Sequence, residues 1–192
     1  GSRQIAILKG DGAGRFAAGA ILDVDGGAPN AASVAALTAG DFDGDGRSDL
    51  CVLSHQDSRT LLLFYRGRGA QEFEVPRPTD IGPSAGRWLT PGDIDADGRA
   101  DLVVSSRDLI APEVLGSVSV WRSAGDGTFV AGATFPGPSA FPAILADLDA
   151  DGRPDLIDLN RLGSGAECCS SRLQVHRNQG GGSFGPSARS EE

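Results

Sequence analysis

The chain has no methionine, one tyrosine, two tryptophans, two histidines and three cysteines in 192 residues. Each scarcity excludes something. With only His55 and His176 present, no pair of imidazoles stands ready for acid and base roles, and no nucleophile motif accompanies either. Three cysteines cannot all pair within one chain. Cys51 falls in an apolar run and reads as a buried side chain, while the adjacent Cys168 and Cys169 sit in a long loop as a vicinal disulfide, partners of other sequence, or free thiols. No apolar run approaches the roughly 20 residues that a membrane-spanning helix needs. No signal peptide is visible, and Gly1-Ser2 without an initiator Met reads as a cloning or processing remnant, which leaves targeting open. Clustered Lys and Arg are missing too, and a net charge of −9 argues against a phosphate backbone as partner.

What the chain does have is 28 glycines and 11 prolines beside 40% hydrophobic residues, a composition of short strands joined by tight turns. The expected class is all-β. Self-similarity supports it. DFDGDGRSDL at Asp41 to Leu50 returns as DIDADGRADL at Asp93 to Leu102 and as DLDADGRPDL at Asp147 to Leu156, with periods of 52 and 54. A second signal keeps step: Phe16, Phe73, Phe129 and Phe184 each end a turn-like segment, spaced 57, 56 and 55 residues apart. Seven positions before each Phe stands a basic residue, Lys9, Arg66, Arg122 or Arg177, preceded by the strand patterns IAIL, LLFY, VSVW and LQVH.

Each unit therefore reads as four antiparallel strands. The first enters the acidic loop, the second leaves it, the third ends at the basic residue, and a Gly-rich turn leads into a fourth that starts at the Phe. Four strands per repeat of this length predict the blades of a β-propeller, about three and a half of them. The units fall at residues 31–80, 84–136 and 139–187, with a half blade at 3–24.

Twelve of the 26 acidic residues, four per loop, lie in the three acidic segments. Positions 1, 3, 5 and 9 are Asp41, Asp43, Asp45 and Asp49 in the first loop. They are Asp93, Asp95, Asp97 and Asp101 in the second, and Asp147, Asp149, Asp151 and Asp155 in the third. Four like charges so close repel unless a cation compensates them, and calcium, a hard ion taking six to eight oxygens, suits alternating carboxylates on a curled loop. Position 6 is Gly46, Gly98 or Gly152, which permits the turn. Position 7 is Arg47, Arg99 or Arg153, whose backbone carbonyl is expected to coordinate while the side chain turns to solvent or to a neighbouring acid. An EF-hand would carry Glu at position 12; Val52, Val104 and Asp158 stand there instead, so the ninth-position Asp is expected to close each site.

On these residues the chain resembles the FG-GAP/VCBS repeat β-propellers, the fold of the integrin α-subunit head and of many secreted bacterial proteins. The resemblance implies one structural Ca2+ per loop, about three ions in all, between the first and second strands of each blade. It also implies a ring of about seven blades, within the usual propeller range. Three and a half blades depart from that, which points to part of a longer propeller or to self-association through open strand edges.

The loops opposite the acidic ones are expected to carry recognition: Ser54 to Thr60, Ser105 to Ser117 and Asn160 to Arg172, with Trp88 near an inner strand. Candidate ligand contacts are Trp88, His55, Arg59 and Arg107, with Arg161 and Arg172 on the same loops. The expected role is calcium-stabilised recognition of a protein or glycan in a secreted, extracellular or cell-surface setting, the periplasm included. The alternatives are self-assembly and a non-catalytic scaffold attached to an enzyme. No catalysis, nucleic acid or membrane insertion is expected.

Overall fold

A computed structural model describes residues 4–24, 33–56, 59–70, 72–83, 85–107, 116–136, 141–162, 170–186 and 188–189. Every regular element among them is a β-strand, and strand order in the sheets follows chain order. The N-terminal hairpin pairs β1 (Gln4–Gly10) with β2 (Phe16–Asp23). The first four-stranded sheet runs β3 (Ser33–Gly40), β4 (Asp49–Gln56), β5 (Arg59–Tyr65) and β8 (Arg77–Asp80), with a small hairpin of β6 (Gly67–Gly69) and β7 (Glu72–Phe73) between its last two strands. The second consists of β9 (Ala85–Gly92), β10 (Asp101–Arg107), β11 (Gly116–Ser123) and β12 (Phe129–Pro136). The third consists of β13 (Ile144–Ala146), β14 (Asp155–Leu162), β15 (Ser170–His176) and β18 (Ala188–Arg189), with β16 (Asn178–Gly180) and β17 (Ser183–Phe184) as its small hairpin.

In the first two sheets the second strand carries an apolar run, LCVL in β4 and LVV in β10, because both of its faces are covered. In β4, Leu50 and Val52 join Leu63 and Tyr65 against Val24, Ile5 and Leu22 of the hairpin, while Cys51 and Leu53 pack with Phe64 on the opposite face against the second sheet. There Phe42, Phe64 and Phe129 meet edge to face, with centroids 5.8 to 6.4 Å apart. Between the second and third sheets, Val103, Val118 and Val120 bury Ala143 and Leu156 with Phe135 and Phe184. Hairpin and three sheets thus stack in series, face against face. Glycines let the backbones close up: a Cβ on Gly86 of β9 would stand 2.8 Å from Leu53, and one on Gly92 would stand 2.7 Å from Leu145.

Two expectations need correction. The fourth strand starts at the repeat Phe only in β2 and β12. Phe73 and Phe184 end the short β7 and β17 instead, and the sheet-forming fourth strands begin later, at Arg77 and Ala188. Pro76 and Pro186 interrupt these two units, and proline has no N–H to offer a ladder. The segment Ser54 to Thr60 is also mostly strand: β4 runs to Gln56 and β5 resumes at Arg59, with Ser54 paired to Leu61 and His55 to Thr60. The strands β10, β11, β14 and β15 likewise take up the ends of the other two proposed loops, whose centres lie outside the described residues.

Candidate metal centres

Each acidic loop joins the first strand of its sheet to the second and folds around its own carboxylates. The position-1 Asp receives the loop amides: Asp41 Oδ1 accepts from the N–H of Gly44 at 2.8 Å and Asp45 at 3.1 Å, and Oδ2 from that of Gly46 at 2.8 Å. Asp93 receives the N–H groups of Asp97 and Gly98, and Asp147 those of Asp151 and Gly152, at 2.9 to 3.2 Å. The position-5 Asp accepts the position-7 N–H at 2.9 Å in all three loops. Position 6 is left-handed as expected, with φ of 80°, 85° and 86° at Gly46, Gly98 and Gly152. Position 4 is left-handed as well, and Gly44 gives way there to Ala96 and Ala150.

This wrapping brings carboxylate oxygens together. Asp41, Asp43 and Asp45 converge within 4.8 Å, as do Asp93, Asp95 and Asp101, and Asp147, Asp149 and Asp151. The position-7 arginines turn to a neighbouring acid: Arg47 pairs with Asp45 at 2.6 Å, Arg99 with Asp97 and Arg153 with Asp151.

The ninth-position carboxylate is buried and staples the loop to the end of the third strand. Asp49 accepts the N–H of Phe42 and of Gly67, Asp101 those of Ile94 and Ser123, and Asp155 those of Leu148 and Asn178. Asp101 joins its loop's cluster, whereas the clusters of the other two loops form from positions 1, 3 and 5. Burial pushes the Asp101 carboxyl up to about 6 against the pull of the Ser123 and Ile94 amides, and raises Asp49 for the same reason. At Asp155 burial acts in the same sense, but the Asn178 amide and the Arg177 guanidinium 2.5 Å away outweigh it and hold the group low.

Arg177 belongs to a set whose role the spacing did not reveal. The basic residue ending each third strand reaches back to the position-3 Asp: Arg66 to Asp43, Arg122 to Asp95 at 3.6 Å, and Arg177 to Asp149 at 3.3 Å. Its constant place seven residues before the Phe was the available signal.

The proposed ligand contacts His55, Arg59, Trp88 and Arg107 lie on four strands, β4, β5, β9 and β10. His55 is half-buried, its Nδ1 3.0 Å from Thr60 Oγ1, and Arg59 pairs with Asp80 at 2.5 Å on the surface. Trp88 is half-buried on β9, beside Ser105 in register. Arg107 ends β10 and Arg161 lies within β14, and their side chains fall outside the described part, as do Cys168 and Cys169 entirely; Arg172 is half-buried on β15. Cys51 is buried, and burial raises its thiol well above the usual range. A buried pair escaped the sequence reading: His176 Nε2 stands 3.6 Å from Asp158 Oδ1, sealed between the second and third sheets with the imidazole 4.0 Å from the Phe135 ring.

The FG-GAP-like repeat profile matches residues 41–104 and 106–157, more than half of the sequence. The chain belongs to the FG-GAP-like repeat family. Each match of the family profile takes in an acidic loop: the first spans the loops at Asp41 and Asp93, the second the loop at Asp147. No curated protein matches the chain.

Proposed function

We propose that this FG-GAP-like chain is a calcium-binding β-propeller module for protein or glycan recognition, in a secreted, extracellular, periplasmic or cell-surface setting, with no catalysis of its own. The observation that carries the reading is the convergence of three carboxylates in each of the three repeated acidic loops. The donor set fits the ion: all are hard oxygens, and Asp95 Oδ1 is buried with no hydrogen-bond partner. Asp41, Asp43 and Asp45 would hold the first ion, Asp93, Asp95, Asp97 and Asp101 the second, and Asp147, Asp149 and Asp151 the third. Asp49 and Asp155, and the carbonyls of Arg47, Arg99 and Arg153, are the remaining candidates. The ion would neutralise each loop and stiffen the edge of its sheet. The stacked four-stranded sheets support blades of a propeller, and the sealing of the Asp158–His176 pair favours packing over chemistry.

Thermal unfolding in excess calcium and then in chelator tests the metal. Binding to the folded state alone adds about 2.7 kcal/mol per site at a hundredfold excess over the dissociation constant, so a clear rise in melting temperature is expected. Asp45→Ala, Asp97→Ala and Asp151→Ala should each reduce that rise. Identical melting with and without calcium in the parent and all three variants would sink the assignment.

A further inference from the structure

The units share one register, counted from Lys9, Arg66, Arg122 and Arg177, and each junction among the described residues uses the same two faces. A leading face carries the second residue of the acidic loop and the residue four before the basic one. In the first sheet these are Phe42 and Leu62, in the second Ile94 and Val118, and all four are fully buried by the following unit. A trailing face carries the residue just before the basic one together with the repeat Phe. Tyr65 and Phe73 pack toward the hairpin, Trp121 and Phe129 toward the first sheet, and His176 and Phe184 toward the second.

At the ends of the stack the same positions lie open. On the leading face of the third sheet, Leu148 is 46% exposed and Leu173 45%, with Leu159 beside them. On the trailing face of the hairpin, Leu8 is 57% and Phe16 71% exposed, with Ile21 on the same side. We propose that these two faces dock on each other between copies of the chain, the hairpin of one copy covering the third sheet of the next.

The internal junctions supply the argument. The trailing pair is carried by the third and fourth strands, and these are the strands the hairpin has, so Leu8 and Phe16 can take the places that Trp121 and Phe129 occupy against the first sheet. One internal contact has no counterpart. Ser123 Oγ donates to the Phe42 carbonyl at 2.5 Å, and Asn178 Nδ2 to the Ile94 carbonyl at 2.8 Å. The matching residue in the hairpin is Gly10, without a side chain to reach the Leu148 carbonyl. The intermolecular junction is therefore more apolar than the two internal junctions that make this bond, and it forms with rising concentration. Because the two faces differ, association is head to tail and yields a closed ring or an open chain of copies.

Sedimentation of the full chain over a concentration series tests this. The parent should pass from monomer to larger species. Phe16→Asp and Leu173→Asp should each abolish association while leaving circular dichroism and melting unchanged, since both side chains are exposed; Leu8→Lys and Leu148→Lys serve if either variant misfolds. Mixing the two variants is decisive, because one open leading face and one open trailing face remain, and a heterodimer that grows no further should form. A parent that stays monomeric at all concentrations overturns the proposal. So does association that survives both substitutions, or a mixture that stays monomeric although the parent associates, since the contact would then lie elsewhere. A monomeric parent would leave the open faces to further units of a longer polypeptide.

Discussion

Tyr65 shows how much one register position can carry. Its hydroxyl donates to the Asp23 carbonyl at 3.1 Å and ties the hairpin to the first sheet. Burial, and then the Asp23 charge, raises its phenol from 10 to about 12. The fold favours the neutral phenol, so this contribution to stability is complete below pH 10 and is lost as pH climbs through 12. Tyr65→Phe should be less stable than the parent at neutral pH, and the gap should narrow between pH 10 and 12, as followed by denaturant unfolding alongside tyrosinate absorbance. Side-chain convergence was legible in the sequence where it arises locally. The carboxylates at positions 1, 3 and 5 of the first and third loops meet within one tight turn, and spacing alone brings them together; in the second loop the buried ninth-position Asp101 takes the place of Asp97. The pairing of Arg66, Arg122 and Arg177 with the position-3 acids was not legible, because it depends on where the third strand ends beside the loop. The same is true of Asp158 and His176, which meet diagonally across β14 and β15.

At the scale of the element, hydrophobic runs revealed the second and third strands and the turn glycines marked their ends. The fourth strand was misplaced in two units because a repeat Phe is a weaker determinant than the proline that follows it. Loop-to-strand hydrogen bonds across the junctions were also hidden, since Ser123 and Asn178 look like ordinary strand-end residues. Both donate to a carbonyl of the preceding unit in a buried setting. Ser123→Ala and Asn178→Ala should each cost about 1–3 kcal/mol, the penalty of leaving such a carbonyl without its partner. Urea unfolding of the two variants checks this; stabilities equal to the parent's would mean that water replaces the bond.

At the scale of the whole molecule, repetition makes a controlled comparison available. Leu62 and Leu173 hold one register position, the first sealed in a junction and the second on the open end. Leu62→Ala should cost about 2–5 kcal/mol and Leu173→Ala within about 0.5 kcal/mol, measured in dilute solution by denaturant unfolding. Equal losses would mean that the third sheet's outer face is covered in the isolated chain.

The agreement of strand order with chain order has a bearing on biosynthesis. Each four-stranded sheet is assembled from strands taken in chain order, with only a small hairpin intervening in the first and third, so each can close as soon as its last strand leaves the ribosome, without waiting for distant sequence. The unit made before it already offers a surface to condense on, and nascent chain growth becomes templated layering. Apart from the trailing face of the hairpin, which stays open, the surface each stage of translation leaves uncovered is the leading face of the newest sheet, so that hazard of untimely sticking travels with one moving boundary.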